Sequence, residues 1–161
     1  MKKIIAFSDI HGNTQNLLKL VPHLETADVC LFLGDGLATL EVLPNNVNKK
    51  TYAVKGNGDV FCKKTPEEML LEIAGKRIFM AHGHTYNVHV NTDRIQKMAI
   101  ECKSVICLYG HNHKFEKKVF RGITLICVPP IGTTRTEEGG SYLEIIIDEE
   151  GKVLTEVKTI N

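Results

Sequence analysis

No apolar run in this chain of 161 residues approaches the roughly 18 needed to cross a bilayer as a helix, so a membrane span is excluded. Met1-Lys2-Lys3 followed by Ile4-Ile5-Ala6-Phe7 has the outline of a secretory leader, but Asp9 and His11 interrupt the apolar stretch far too early. Charge of one sign is lacking as well. Lys and Arg number 20 against 19 Asp and Glu, a net charge of +1, which argues against a nucleic-acid binder working by bulk charge. No low-complexity segment, internal repeat or linker interrupts the chain, and its 43% apolar content is ordinary for a globular protein. Neither a Gly-x-Gly-x-x-Gly nor a Gly-x-x-x-x-Gly-Lys loop is present, which leaves nucleotide binding by those devices unsupported. The five cysteines form no CxxC pair. Cys30, Cys102, Cys107 and Cys127 fall at apolar strand-like or helical positions, as reduced thiols of a cytoplasmic protein do, so a disulfide framework is not expected.

A chain of this length is expected to form one domain, residues 1–161, and to bury roughly two-thirds of its unfolded surface without a metal or disulfide to hold it together. After a first strand, Leu17, Leu20, Val21 and Leu24 share one helical face, with Pro22 expected to kink or end that helix near Leu24. A short helix from Leu37 to Leu43 should stop at Pro44-Asn45-Asn46. Glu68 to Ala74 and Lys76 to Ala81 read as a hairpin about Gly75, and Asn91-Thr92-Asp93 as the cap of a helix carrying Ile95, Met98, Ala99 and Cys102. From Val105 the pattern is a succession of strands. Strand-helix alternation followed by consecutive strands predicts an α/β chain with two sheets packed face to face and helices outside.

Five apolar runs end on potential metal ligands. Lys3 to Ser8 leads into Asp9 and His11, Val29 to Gly34 into Asp35, and Thr51 to Gly56 into Asn57. Arg77 to Ala81 leads into His82, and Val105 to Gly110 into His111 and His113. Singly, Gly34-Asp35-Gly36 and Gly56-Asn57-Gly58-Asp59 are ordinary turns, and a lone strand-end histidine is usually just hydrogen-bonded or exposed. Together they place four of the seven histidines where an open sheet collects its ligands. Carboxylate, imidazole and amide donors without thiolate suit Mn²⁺, Fe, Ni²⁺ or Zn²⁺ better than a structural zinc site. Seven donors are too many for one ion and suit two, with one carboxylate between them.

Asp9-x-His11, Gly34-Asp35, Gly56-Asn57, His82-Gly83-His84 and Gly110-His111-Asn112-His113, in this order, resemble the calcineurin-like metallophosphoesterases over essentially the whole chain. The short length and the His-Gly-His form resemble the small YfcE-type phosphodiesterase branch. The resemblance implies a four-layer α-β-β-α sandwich of two mixed β-sheets. It implies Asp9, His11, Asp35 and His113 on one metal, Asp35, Asn57, His82 and His111 on the other, and Asp35 as the bridge. It further implies Mn²⁺ before Ni²⁺, Fe or Zn²⁺, and in-line attack on a small phosphoester by a hydroxide held between the ions. Two divalent ions, two carboxylates and one hydroxide leave a formal charge of about +1, which balances a phosphodiester.

Two departures from the family pattern bear on the substrate. Many larger relatives carry a histidine after the asparagine ligand to protonate the leaving group, whereas this chain has Gly58; His84 is the nearest substitute donor, in a catalytic or a supporting role. Relatives often carry Asn-Pro-Gly-Ser in the region where this chain has Val128-Pro129-Pro130-Ile131-Gly132-Thr133-Thr134-Arg135. Arg135 then either reaches a substrate phosphate or is a solvated loop residue. Asp59 either orients a ligand or completes a turn, His23 reads as a surface residue, and His89 has no role in its spacing. A phosphomonoesterase, a non-catalytic protein-binding scaffold like the retromer subunit that shares this fold, and a homo-oligomer stay open as alternatives or additions.

Overall fold

The computed structural model of the chain describes residues 1–132 and 139–161, so Arg135 lies outside the described residues. The first part comprises β1 (Lys2–Phe7), α1 (Thr14–Thr26), β2 (Val29–Phe32), a 3-10 turn (Leu37–Val42), α2 (Asn45–Asn48) and β3 (Thr51–Ala53). Then come β4 (Glu68–Ile73), β5 (Lys76–Ala81), a 3-10 turn (His84–Tyr86), α3 (Asp93–Glu101) and β6 (Ile106–Tyr109). The strands β7 (Glu116–Phe120), β8 (Ile123–Cys127), β9 (Ser141–Ile147) and β10 (Val153–Thr159) complete it.

Among the described residues these strands form two five-stranded sheets, ordered β10-β9-β1-β2-β3 and β4-β5-β6-β8-β7. Both are mixed: β1, β2 and β3 run parallel, as do β5, β6 and β8, with antiparallel strands at the margins. The apolar runs are continuous because each central strand is covered on both faces. Successive side chains point to opposite faces, so Ile4 and Ala6 of β1 enter the core between the sheets with Ile78, Met80, Ile106 and Leu108. Ile5 and Phe7 point the other way, onto Leu17, Leu20 and Leu24 of α1 and Val47 of α2. On the far side, Phe79, Cys107 and Leu125 pack against Ile95 and Ala99 of α3. The layers are therefore α-β-β-α, as the resemblance implied. Truncating Ile4, which is wholly buried, to alanine would cost about 2–5 kcal/mol.

Local differences from the sequence reading have physical causes. The helix α1 runs past Pro22 to Thr26; the carbonyl that loses its partner belongs to Leu18, on the exposed face, where water can satisfy it. Pro44 stops the preceding 3-10 turn but also caps α2, a four-residue helix that the sequence reading took for a stop signal. Its fixed φ and missing N–H are harmless at a helix start. Thr92 caps α3 by position, but it is Asn91 whose side chain accepts the Asp93 N–H, at 3.0 Å. The β4-β5 hairpin turns through Ala74 and Gly75, both with positive φ (50° and 71°), the backbone that matches strand twist in a two-residue turn. All five cysteines are free, and burial pushes the Cys30 thiol up to about 11 and the Cys127 thiol to about 12. No helix among the described residues is long and apolar enough to cross a membrane.

Candidate metal centre

Parallel strands deliver their carboxyl ends to one side of a sheet, and here both sheets do so at the same edge of the sandwich. His82, just after β5, brings Nδ1 to 2.7 Å from the Leu33 carbonyl beyond β2. The His111 backbone N–H, just after β6, donates to Asp9 Oδ2 beyond β1 at 3.2 Å. The chain must leave each strand abruptly to present its side chain there. Asp9, His11, Asp35, His111 and His113 all have left-handed φ, between 46° and 70°, at about 1–2 kcal/mol each. Such backbone clusters at functional sites because the surroundings over-determine it.

Glycines admit the carboxylates. A Cβ on Gly56 would overlap Asp35 Oδ1, and one on Gly110 would overlap Ser8 Oγ and lie 2.9 Å from Asp9 Oδ2. Asp35 Oδ1 instead accepts the Gly58 N–H at 2.7 Å. Asp59, buried beneath, accepts the backbone N–H groups of Asp35 (2.8 Å), Gly36 (2.9 Å), Leu37 (3.0 Å) and Gly56 (2.8 Å). It ties the loops after β2 and β3 together and, with its own N–H donating to the Gly56 carbonyl at 3.2 Å, also completes a turn.

Asp9 is the centre of the arrangement. Its Oδ2 accepts from Ser8 Oγ at 2.6 Å, while its Oδ1 is buried with no hydrogen-bond partner. Around that oxygen stand His113 Nε2 at 3.2 Å, His11 Nε2 at 3.3 Å and His82 Nε2 at 3.9 Å. Asp35 Oδ2 lies 3.3 Å from His82 Nε2 and 3.8 Å from His11 Nε2. The ring nitrogens of His11 and His113 approach to 3.0 Å, and those of His82 and His111 to 3.3 Å. Facing imidazole nitrogens at that separation share either a proton or a cation. An orphaned carboxylate oxygen within reach of three imidazoles fits a cation. Two overlapping groups have metal-ligand spacing, Asp9-His11-His113 and Asp9-Asp35-His82.

Burial pushes the Asp35 carboxyl up, but the hydrogen bond and charge of His82, the Gly58 N–H and the charge of His11 outweigh it and hold the group down to about 2. Burial disfavours protonated His82, yet the hydrogen bond to Asp35 and the charges of Asp9 and Asp35 raise it above the usual imidazole range. With Nδ1–H donating to the Leu33 carbonyl, His82 turns Nε2 toward the carboxylates, where it could meet a cation.

His111 joins through His82, and His84 lies beside both, with ring centroids 5.4 Å from His82 and 6.3 Å from His111. The His84 Nδ1 is buried without a partner. Asn57 is exposed in a turn of the segment between β3 and β4. His89, to which the sequence gave no role, brings its ring centroid to 5.9 Å from that of His111. Ser8 was missed too; its only sequence signal is its place beside Asp9 at a strand end. His23 is exposed, as expected, with its ring centroid 5.3 Å from that of Tyr142.

A Bacillus subtilis protein described as probable metallophosphoesterase YsnB is 27% identical over 148 residues, 91% of this chain and 85% of its own. Among solved structures, a predicted phosphoesterase from Streptococcus pneumoniae superposes with a TM-score of 0.77 at 24% identity, covering 98% of this chain and 97% of that one. An archaeal phosphodiesterase gives 0.74 at 20%, covering 97% and 99%. Entamoeba histolytica Vps29 complexed with Zn²⁺ gives 0.74 at 19%, covering 99% of both chains. These likenesses share the fold, and the family model for the calcineurin-like phosphoesterase superfamily domain matches residues 1–150. With its strand-end carboxylates and imidazoles gathered at one edge of an α-β-β-α sandwich, the chain belongs to the calcineurin-like phosphoesterase superfamily.

Proposed function

We propose that the protein is a metal-dependent hydrolase of phosphodiesters, working with two divalent ions at the convergent edge. The observation that carries this reading is Asp9 Oδ1, a buried anionic oxygen with no donor and three imidazole nitrogens within 3.9 Å. Asp9, His11, Asp35 and His113 would hold one ion, and Asp35, Asn57, His82 and His111 the other. Asp35 Oδ2 faces His11 from one set and His82 from the other, which supports Asp35 as the bridge. The donors suit Mn²⁺ first and Ni²⁺, Fe or Zn²⁺ as alternatives. When bound, the ions would supply a water of lowered pKa and neutralise charge on the phosphoryl oxygens.

The chain itself contributes position and proton handling. A water oxygen bonds to phosphorus, the ester P–O bond breaks, and the departing oxygen collects a proton. Gly58 cannot supply one, so His84, beside His82 and His111, donates to the leaving oxygen. Two carboxylates against two divalent ions leave the centre cationic, a match to a singly charged diester.

The test is turnover of paired aryl mono- and diester phosphates by protein loaded with Mn²⁺, Ni²⁺ or Zn²⁺. Faster diester hydrolysis is expected; equal or faster monoester hydrolysis would make the protein a phosphomonoesterase. A protein-binding scaffold is the second reading, because Phe61 (94% exposed), Val60 (66%), Val90 (64%) and Phe115 (46%) stand on the loops around the centre and Vps29 shares the fold. Metal-loaded protein inert on every phosphoester would favour it.

A further inference from the structure

A cavity of about 600 Å³ lies beside the metal centre, lined by Lys55, Thr65, Pro66, Glu67, Glu68, Thr85 and Tyr86. Its walls are continuous with two ligand-bearing segments. Lys55 precedes Gly56-Asn57, and Thr85 follows His82-Gly83-His84. Glu68 opens β4 directly opposite Ala81, the residue before His82. The cavity is on the His84 side, since Thr85 and Tyr86 of its lining belong to the His84–Tyr86 turn.

The walls are fixed. The Lys55 N–H donates to the Pro66 carbonyl at 2.9 Å, closing the loop between them. Tyr86 donates its hydroxyl to Glu68 Oε2, and its ring meets Phe79 edge-on with centroids 6.0 Å apart. Lys55 Nζ and Glu67 Oε1, by contrast, stand 3.9 Å apart, too far for a hydrogen bond. One hydroxyl between them can accept from the lysine and donate to the glutamate, each at about 2.8 Å. A neighbouring hydroxyl would find the second Glu67 oxygen, Glu68 or the Thr65 and Thr85 side chains.

We propose that this cavity seats the alcohol released from the substrate and selects a neutral vicinal diol, such as a glycerol or pentose unit, through Glu67 and Lys55. The charges argue for neutrality. An ammonium head group would meet Lys55, and a second phosphate would meet Glu67 and Glu68. A polyol satisfies both signs at once. This assignment rests on the phosphodiesterase reading, and it names the leaving half of the substrate.

Two symmetric diesters test it, because either cleavage releases the same alcohol: diglyceryl phosphate and bis(3-hydroxypropyl) phosphate, which lacks the vicinal hydroxyl. Metal-loaded protein should favour the glyceryl ester in kcat/KM by about tenfold, the worth of a hydrogen bond to a charged group. Glu67→Gln and Lys55→Met should erase the preference through a higher KM for the glyceryl ester, with metal content at the wild-type level. Hydrolysis of bis(p-nitrophenyl) phosphate without a diol preference would overturn the cavity assignment alone, whereas no hydrolysis of any diester would overturn the reaction itself. Glycerol titrated into metal-free ¹⁵N-labelled protein should shift the Thr65 and Thr85 amides in wild type but not in Glu67→Gln. Absent or scattered shifts would also overturn the assignment.

Discussion

Asp59 holds Asp35 by its backbone: Asp59 Oδ2 accepts the Asp35 N–H at 2.8 Å and the Gly56 N–H at 2.8 Å, and so joins the loop after β2 to the loop after β3. Its other oxygen takes the Gly36 and Leu37 N–H groups. An asparagine there would set an amide NH₂ against two backbone donors. Asp59→Asn should therefore lose about 3 kcal/mol of stability, as expected when buried donors lose a charged acceptor, and bind metal about 10–100-fold more weakly, as when a partner behind a ligand is removed. Urea unfolding and metal titration check the two effects, and unchanged metal affinity would reduce Asp59 to a turn residue.

If Asp35 bridges two ions, the ligands are unequal. Asp35→Ala should empty both positions and lower turnover by about 100-fold or more, since the ions supply the nucleophile. Asn57→Ala should weaken one position only. Metal content by elemental analysis after dialysis decides it: two ions retained in Asp35→Ala would dismiss the bridge, and two lost in Asn57→Ala would mean the positions are not separable.

Much of this was legible in the sequence because strand direction does the assembling. Once Asp9, Asp35, His82 and His111 each follow an apolar run, parallel pairing of β1 with β2 and of β5 with β6 brings the members of each sheet to the same end of that sheet. Side-chain direction is a different matter. Nothing in Gly58-Asp59-Val60 reveals that Asp59 turns inward to collect four N–H groups, because that depends on loops 24 residues apart in the chain. Likewise His89 nears His111 only through the turn after β5. The cavity joins β4, the loop after β3 and the turn at His84, and no local pattern encodes such a meeting. Pro44 was read as a stop because its other use, opening a helix, needs the next four residues to pack through Val47.

His84 has the position of a leaving-group donor, and esters of different leaving ability separate that role from a structural one. His84→Ala should slow esters of poor leaving groups about 10²-fold or more, the range of general acid catalysis, and nitrophenyl esters by far less. A uniform loss across the series, or none, would remove His84 from the donor role. Metal content should stay at the wild-type level in His84→Ala, which guards against a collapsed centre.

Far from the centre, Glu144 on β9 takes Lys3 Nζ on Oε2 and Lys158 Nζ on Oε1, each at 2.9 Å, linking β1, β9 and β10. Burial raises the Glu144 carboxyl, but the hydrogen bonds from Lys158 and Lys3 and their charges outweigh it and hold the group below its ordinary 4.5. A carboxyl depressed in the folded state stabilises the fold fully above its unfolded pKa. That contribution fades as pH falls toward and through the lower folded value. The urea midpoint of wild type should therefore drop more steeply below pH 4.5 than that of Glu144→Gln, which has no proton to take up at this position. The two should differ most at neutral pH, with wild type the more stable, and converge in acid. Parallel curves from neutral pH into acid would show that the two lysines leave the carboxyl unperturbed.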